Sequence, residues 1–350
     1  MIDLAKIIVG RLPGGLAYVN ILANMLFGSI SGSAVAAAAA NGGFMAPLMK
    51  REGYNVEYSA AVNMSSAVTG LLIPPSNIMV VYSLASGGVS IAALFIAGYV
   101  PGILLGLALM VVAGVIAKAR KYPLGEKTEF SVAVDIFFSA VPALLLVAIV
   151  MGGIILGWFT PTEASAVAVL YTFVLSVLVY REIKWAELPE LFTRSAATTA
   201  IVLLLVATST GMSWVMSSAN IPQTISKTLL ALSENKEVLL LIINLLLLVV
   251  GMFMDMTPAV LIFTPIFLPV MQRLGMDPIH FGIVMIFNLC IGLCTPPVGS
   301  VLFVGCGVGG TTIAKVWRPL LPFFIAMVLV LVAVTYWPAL SLALPRALGF

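Results

Sequence analysis

Uninterrupted apolar runs, not alternating positions, dominate the chain; Ile136–Phe159, Val167–Tyr180, Ile201–Val215 and Pro319–Trp337 are examples. A helix crosses a hydrocarbon core with about 20 apolar residues, whereas transmembrane strands would alternate over roughly ten. The pattern predicts an all-α polytopic membrane protein. Two stretches interrupt it. "GLLIPPSN" (Gly70–Asn77) and "GLCTPPVG" (Gly292–Gly299) place paired prolines inside apolar segments. Proline lacks an N–H and deprives the carbonyl four residues back of its helical partner, so both read as broken transmembrane helices. Val238–Val270 is 33 residues long with Asp255 as its one charge. At about 1.5 Å per residue it overruns a core of about 30 Å. Its centre holds Gly251, Asp255 and Pro258, which predicts a re-entrant hairpin. "NILANMLFGSISGSAVAAAAANGGFMAPLM" reads likewise, with its tip at Ser29–Ser33.

The chain is 61% hydrophobic and 9% charged, against about 25% charged in soluble domains. A lipid bilayer is therefore its solvent, and nothing implies a nucleic-acid partner. Placement of charge matters more than the net +3. Basic residues of short loops favour the cytoplasm. With the loop holding Lys118, Arg120, Lys121 and Lys127 inside and both hairpins re-entrant, thirteen of the 17 basic residues fall inside. Lys227, Lys236, Arg273 and Arg346 fall outside. Treating either hairpin as a simple span spoils the bias.

A shift of 222 residues lays Pro47–Pro75 on Pro269–Pro297 with nine of 29 positions identical, among them Gly70/Gly292, Pro74/Pro296 and Pro75/Pro297. By the charge argument the two hairpins open to opposite sides, which predicts an inverted-topology repeat. The first repeat is expected over 1–117 (hairpin 17–50, broken helix 54–84, helix 90–117), followed by a cytoplasmic basic loop over 118–134. The second is expected over 135–350, with scaffold helices 135–216, an interfacial helix 221–233, hairpin 237–272, broken helix 278–305 and helix 312–343. Asp135–Pro222, 88 residues, have no counterpart in the first repeat, and a matching segment is expected before Met1.

The chemistry concentrates at the breaks. Carbonyls freed at Gly70, Leu71, Gly292 and Leu293 are hard oxygen donors suited to Na⁺, and half-helix N-termini present N–H groups to anions. The tips add Ser29, Ser31, Gly32 and Ser33 on one side and Asp255, Met256 and Thr257 on the other. Serines can merely bond back to helix carbonyls, and Ser33 can cap the next helix. Asp255 costs about 2.5–3.5 kcal/mol to insert, which points to a polar-site role. His280 reads as structural, Cys290 and Cys294 as packing residues, and Gly102 with Gly106 as a helix contact. No enzyme motif such as H-E-x-x-H, G-x-S-x-G or a P-loop occurs.

"GSISGSAVA", "GLLIPPSN", "SLASGGVSIAALFIAGYVPG", "FTPTEASAVAVLY", "GMFMDMTPAVLI" and "TPPVG" together resemble the large membrane subunit of tripartite ATP-independent periplasmic (TRAP) transporters, in order and over essentially the whole chain. The resemblance implies an elevator-type, Na⁺-driven importer of an organic acid anion in the bacterial inner membrane. A periplasmic substrate-binding protein would deliver the anion and a small four-helix membrane subunit would join the scaffold. It implies one Na⁺ site at Ser31, Gly32, Gly70, Leu71 and Pro74, and another at Gly251, Asp255, Gly292, Thr295 and Pro296. Substrate would lie between the tips, near Ser29, Ser31, Ser33, Ser76, Asn77, Asp255 and Thr257. Many relatives resemble "SGSAVAD" at the first tip; here Ala36 follows Val35 and the acidic residue is lacking. A passive anion channel and an intramembrane enzyme are the rival readings. The cargo stays open among sialate, other sugar acids and C4-dicarboxylates.

Overall fold

The computed structural model describes residues 2–123, 130–232 and 235–350. Regular structure among them is entirely helical. Seven helices are long and apolar enough to cross a membrane, or eight if one bent pair counts as a span.

The first half begins with α1 (Ile2–Val9), then α2 (Gly15–Ser31) and α3 (Ala34–Arg51), which form a hairpin. Next come α4 (Val56–Ala67) and α5 (Thr69–Leu72), and after a break α6 (Asn77–Ala85), bent by 50° from the preceding pair. The half closes with the long α7 (Ile91–Arg120). Then follow α8 (Phe130–Ile155), α9 (Pro161–Phe173) prolonged by a π-helical turn at Val174–Val179, α10 (Leu188–Ser218) and α11 (Ile221–Leu232). A second hairpin comprises α12 (Lys236–Phe253) and α13 (Met256–Arg273). A second broken helix comprises α14 (Pro278–Gly292) and α15 (Ser300–Gly309). The chain ends with α16 (Ile313–Tyr336) and α17 (Ala339–Ala347).

Three boundaries differ from expectation. Among the described residues the two ends of the expected basic loop are helical: Lys118 and Arg120 end α7, Phe130 begins α8, and residues 124–129 lie outside the described residues, as does Ser233 of the expected interfacial helix. The helix expected over 312–343 is two, because Pro338 follows Trp337, whose extended backbone (φ −122, ψ 84) ends α16. Gly251 does not break its helix but lies within α12.

The 222-residue shift matches local structure as well as sequence. Gly53 and Gly275, both with positive φ (79 and 72), follow the two hairpins. Asn55 and Asp277 cap α4 and α14 through their side chains, and Ser90 and Thr312 precede α7 and α16. Both Pro–Pro bonds, Pro74–Pro75 and Pro296–Pro297, are cis.

Small residues bring backbones together where the hairpins meet the broken helices. A methyl added to Gly28 or Gly70 would overlap the other's backbone, and one on Gly292 would lie 2.5 Å from the Cα of Gly251. Gly102 sits on Ile73 and Gly106 on Met25, so α7 lies close against this pair. Buried amides fix the register. Asn24 Nδ2 donates to Ser66 Oγ (2.7 Å), while Asn24 Oδ1 accepts from Asn41 (2.6 Å). Asn63 Nδ2 donates to the carbonyl of Ala38 (2.8 Å). In the second half Asn288 donates to Asn244 Oδ1 (2.6 Å), and Asn244 to Thr335 Oγ1 (3.1 Å).

The two broken helices also interlock. Tyr82 Oη donates to the carbonyl of Pro278 (2.7 Å) with its ring against Gly282, Gly305 packs on Met64, and Cys294 Sγ contacts the carbonyl of Met64 (3.3 Å). His280 is buried with Nδ1 2.6 Å from Ser341 Oγ and Nε2 3.2 Å from the carbonyl of Thr335. A carbonyl only accepts, so Nε2 carries the proton and His280 joins helices. By contrast α9 and α10 stay largely exposed, 11% and 6% buried over their most apolar windows.

Candidate functional site

One cavity of about 570 Å³ gathers both hairpin tips and both broken helices. Its lining includes Gly32–Val35 at the first tip and Asp255–Thr257 at the second, with Leu71, Asn77 and Leu293 from the breaks. Pro161, Thr162, Ser165 and Val202 close it from α9 and α10.

Four helices begin on this cavity: α3 at Ala34, α6 at Asn77, α9 at Pro161 and α13 at Met256. Each N-terminus leaves backbone N–H groups without intrahelical partners and carries roughly half a positive charge. Two of the four are capped. Ser33 Oγ accepts from Ala36 N (3.3 Å), and Thr160 forms a capping box with Glu163 behind Pro161. The other two lack a side-chain cap: neither Ser76 before α6 nor Asp255 before α13 bonds its helix end. Asp255 is exposed to the cavity and is the one ionisable group among its described lining residues. Convergent N–H groups, a hydroxyl set (Ser33, Thr162, Ser165, Thr257) and one carboxylate suit a small anion that also donates hydrogen bonds or arrives with a cation.

The predicted residues separate into two sets. Gly32, Ser33, Asn77, Asp255 and Thr257 line the cavity, as does Leu71. Ser31 is half-buried, and its Oγ lies 3.4 Å from both the nitrogen and the carbonyl of Ser33. Ser29 belongs to the last turns of α2, and its side chain lies outside the described residues. The first turn is thus narrower than Ser29–Ser33, because left-handed Gly32 (φ 61) closes α2 by donating to the carbonyl of Gly28. Ser76 is buried and opens with Pro75 and Asn77 on an adjoining cavity of about 170 Å³ against α8 and α9.

The freed-carbonyl reading needs correction at three of its four positions. Leu71 O accepts from Ser76 Oγ (2.6 Å). Gly292 O accepts from Thr295 N (2.9 Å), and Leu293 O from Val301 N (3.2 Å) and Leu302 N (3.3 Å). For Leu71 and Leu293 the chain past the proline pair folds back and returns the bond, and for Gly292 a tight turn before the pair does so. Gly70, Gly251 and Gly292 serve close packing, and Thr295 Oγ1 bonds back to Ile291 O (2.7 Å). Pro74 and Pro296 precede the cis-prolines Pro75 and Pro297. Beside this second break, Asn288 Oδ1 and Ser300 Oγ are buried without a hydrogen-bond partner. Sequence reading missed the α9 wall, although Thr160–Pro161–Thr162–Glu163 is a legible helix start.

Paired hairpins, paired broken helices and an N-terminus-lined cavity define a polytopic membrane transport subunit. The chain belongs to the DctM component family of the tripartite ATP-independent periplasmic transporters, whose family model matches residues 1–340. It is 57% identical to the YgiK protein of Salmonella typhimurium, over 99% of this chain and 79% of that one. It is 41% identical to the C4-dicarboxylate TRAP transporter large permease protein DctM of Pseudomonas aeruginosa, over 100% of this chain and 82% of the relative. It is 37% identical to the sialic acid TRAP transporter large permease protein SiaM of Vibrio cholerae, over 98% of this chain and 80% of the relative.

Proposed function

We propose that the protein is the large permease subunit of a Na⁺-coupled importer that carries an organic acid anion across the bacterial inner membrane. The convergence of four helix N-termini on one cavity carries the reading. The anion binds to the uncapped ends of α6 and α13, with Ser33, Asn77 and Thr257 beside it. A cation accompanies it, because Asp255 would otherwise face the anion with like charge. The buried, unpartnered oxygens of Asn288 and Ser300 suit a hard cation near the second break. Gly32 of the first hairpin tip and Leu71 of the first break line the same cavity as Asp255.

The two halves act as an inverted repeat, and the interlocked hairpins and broken helices slide as one unit past the exposed α8–α10 segment. A small membrane subunit completes that scaffold, and a periplasmic binding protein loads the cavity. Relatives are named for C4-dicarboxylate and sialic acid, which supports a carboxylate cargo. Family membership argues against a passive channel and against enzyme chemistry.

The test is uptake into proteoliposomes containing the assembled transporter, with succinate and sialate as probes. Uptake should require an inward Na⁺ gradient, and Asp255→Ala should abolish that requirement or the uptake itself. Equal uptake with and without Na⁺ would refute the coupling; ohmic single-channel currents would favour the pore.

A further inference from the structure

A second site lies far along the chain from the tips, where the C-terminal end of α7 meets the first turns of α16. A cavity of about 350 Å³ is lined there by Tyr58, Val115, Ile116, Ala119, Arg120, Arg318, Pro319 and Pro322. Its chemistry is two-sided: the guanidiniums of Arg120 and Arg318 stand against a wall of aliphatic carbon. Arg120 is held in place, with Cζ 5.6 Å from the centroid of the Tyr58 ring and Nη1 donating to Tyr122 Oη (3.3 Å). Tyr122 in turn stacks on Tyr54 with centroids 4.2 Å apart. Arg318 is exposed. Lys118, Lys121 and Lys315, also exposed, are nearby in sequence. Among the described residues none of these five cations forms a salt bridge.

The aliphatic wall continues along both helices. Ile103, Leu107, Val111 and Val115 follow one another every four residues along α7, and are 45%, 54%, 66% and 65% exposed. Leu321, Ile325 and Leu329 do the same on α16 at 42%, 51% and 63%. From Ile103 to Val115 this stripe spans about 18 Å at the helical rise of about 1.5 Å per residue. One leaflet of a hydrocarbon core is about 15 Å deep. The positive end is therefore followed by an apolar track one leaflet long, and the charge bias places that end on the cytoplasmic side.

We propose that this pocket holds one anionic phospholipid of the cytoplasmic leaflet, its phosphodiester between Arg120 and Arg318 and an acyl chain along the α7 stripe. A free anion would satisfy the arginines but not the apolar wall, and a neutral lipid would leave two unneutralised guanidiniums at the pocket. The inference is independent of the cargo and of the coupling ion.

Native mass spectrometry of the purified full chain tests it, in micelles supplied with equal amounts of phosphatidylglycerol and phosphatidylcholine of the same acyl chains. One phosphatidylglycerol should be retained in preference to phosphatidylcholine by about tenfold or more. Arg120→Gln with Arg318→Gln should bring that ratio near one, and Arg194→Gln, on the ion-paired surface of α10, should leave it unchanged. Arg318→Gln alone avoids the Tyr58–Tyr122 cluster and should still lower the ratio several-fold, which guards against misfolding of the double variant. Val115→Trp, with both arginines kept, should also lower retention. Equal retention of the two lipids overturns the proposal, as does a preference that survives both arginine substitutions. Displacement by an equal concentration of inorganic phosphate would reduce the pocket to a simple anion site and overturn it too.

Discussion

Asp255 and the packing glycines show how much depends on single atoms here. Asp255 occupies the position before α13 where a carboxylate normally caps the helix, yet it makes no such bond and faces the cavity. Asp255→Asn should therefore change melting temperature little while weakening cation dependence. The melting curve and the Na⁺ titration of uptake check the two halves of that statement separately. Glycine contacts make the opposite prediction. Gly70→Ala would drive a methyl into the backbone of Gly28, and Gly43→Ala would meet nothing within 4 Å. Overpacking costs about 1–3 kcal/mol, whereas alanine in an open helix position gains up to about 1 kcal/mol. Thermal unfolding in detergent should order them Gly43→Ala, wild type, Gly70→Ala from most to least stable. The sequence reads Gly251 as a breaker, Gly70 and Gly292 as carbonyl donors, and Gly32 as a tip residue. Gly32 does close a helix, but Gly70, Gly251 and Gly292 are there because two backbones touch. Which glycine does which depends on a neighbour in space.

Among elements, the hairpins and breaks were readable because their cause is local: a missing proline N–H, a left-handed glycine, a run too long for one span. The fate of the carbonyls was not readable, since Ser76 and the restarted α15 return those bonds from residues beyond the break. Nor was the wall formed by α9. Its capping box is plain in "FTPTE", but only packing shows that this helix start faces the tips of both hairpins. Thr160→Ala removes one cap from that start and should cost about 1 kcal/mol. Because Pro161 and Thr162 line the cavity, the variant should also shift apparent substrate affinity in uptake assays more than Thr193→Ala on α10. Buried amides act at the same scale. Asn24→Leu leaves Asn41 and Ser66 without a shared partner inside a packed interface. Losing it should cost about 1–3 kcal/mol, and a double-mutant cycle with Asn41→Leu should show coupling.

The molecule as a whole divides by burial. The broken helices are tied to one another by Tyr82, Gly282, Gly305 and Cys294, and each hairpin to its broken helix by Gly28 against Gly70 or Gly251 against Gly292, while α9 and α10 present mostly bare apolar surface. The cavity lies on the seam between these parts, lined from α6 and from α9. If the tied part slides along that seam, a bifunctional thiol reagent joining Val80→Cys to Ser165→Cys should stop uptake. Continued uptake after full cross-linking would exclude sliding at this surface.

Asp255, the one ionisable group among the described lining residues of that cavity, has one more consequence, and it concerns leakage. Like charges about 4 Å apart at an effective dielectric constant of 20 repel by about 4 kcal/mol. A carboxylate cargo that enters beside Asp255 without a cation meets a penalty of that order, which suppresses its occupancy by nearly a thousandfold. If uptake is cation-coupled as proposed, its fidelity then needs no gate that senses the ion, because a wrongly loaded carrier is seldom populated at all.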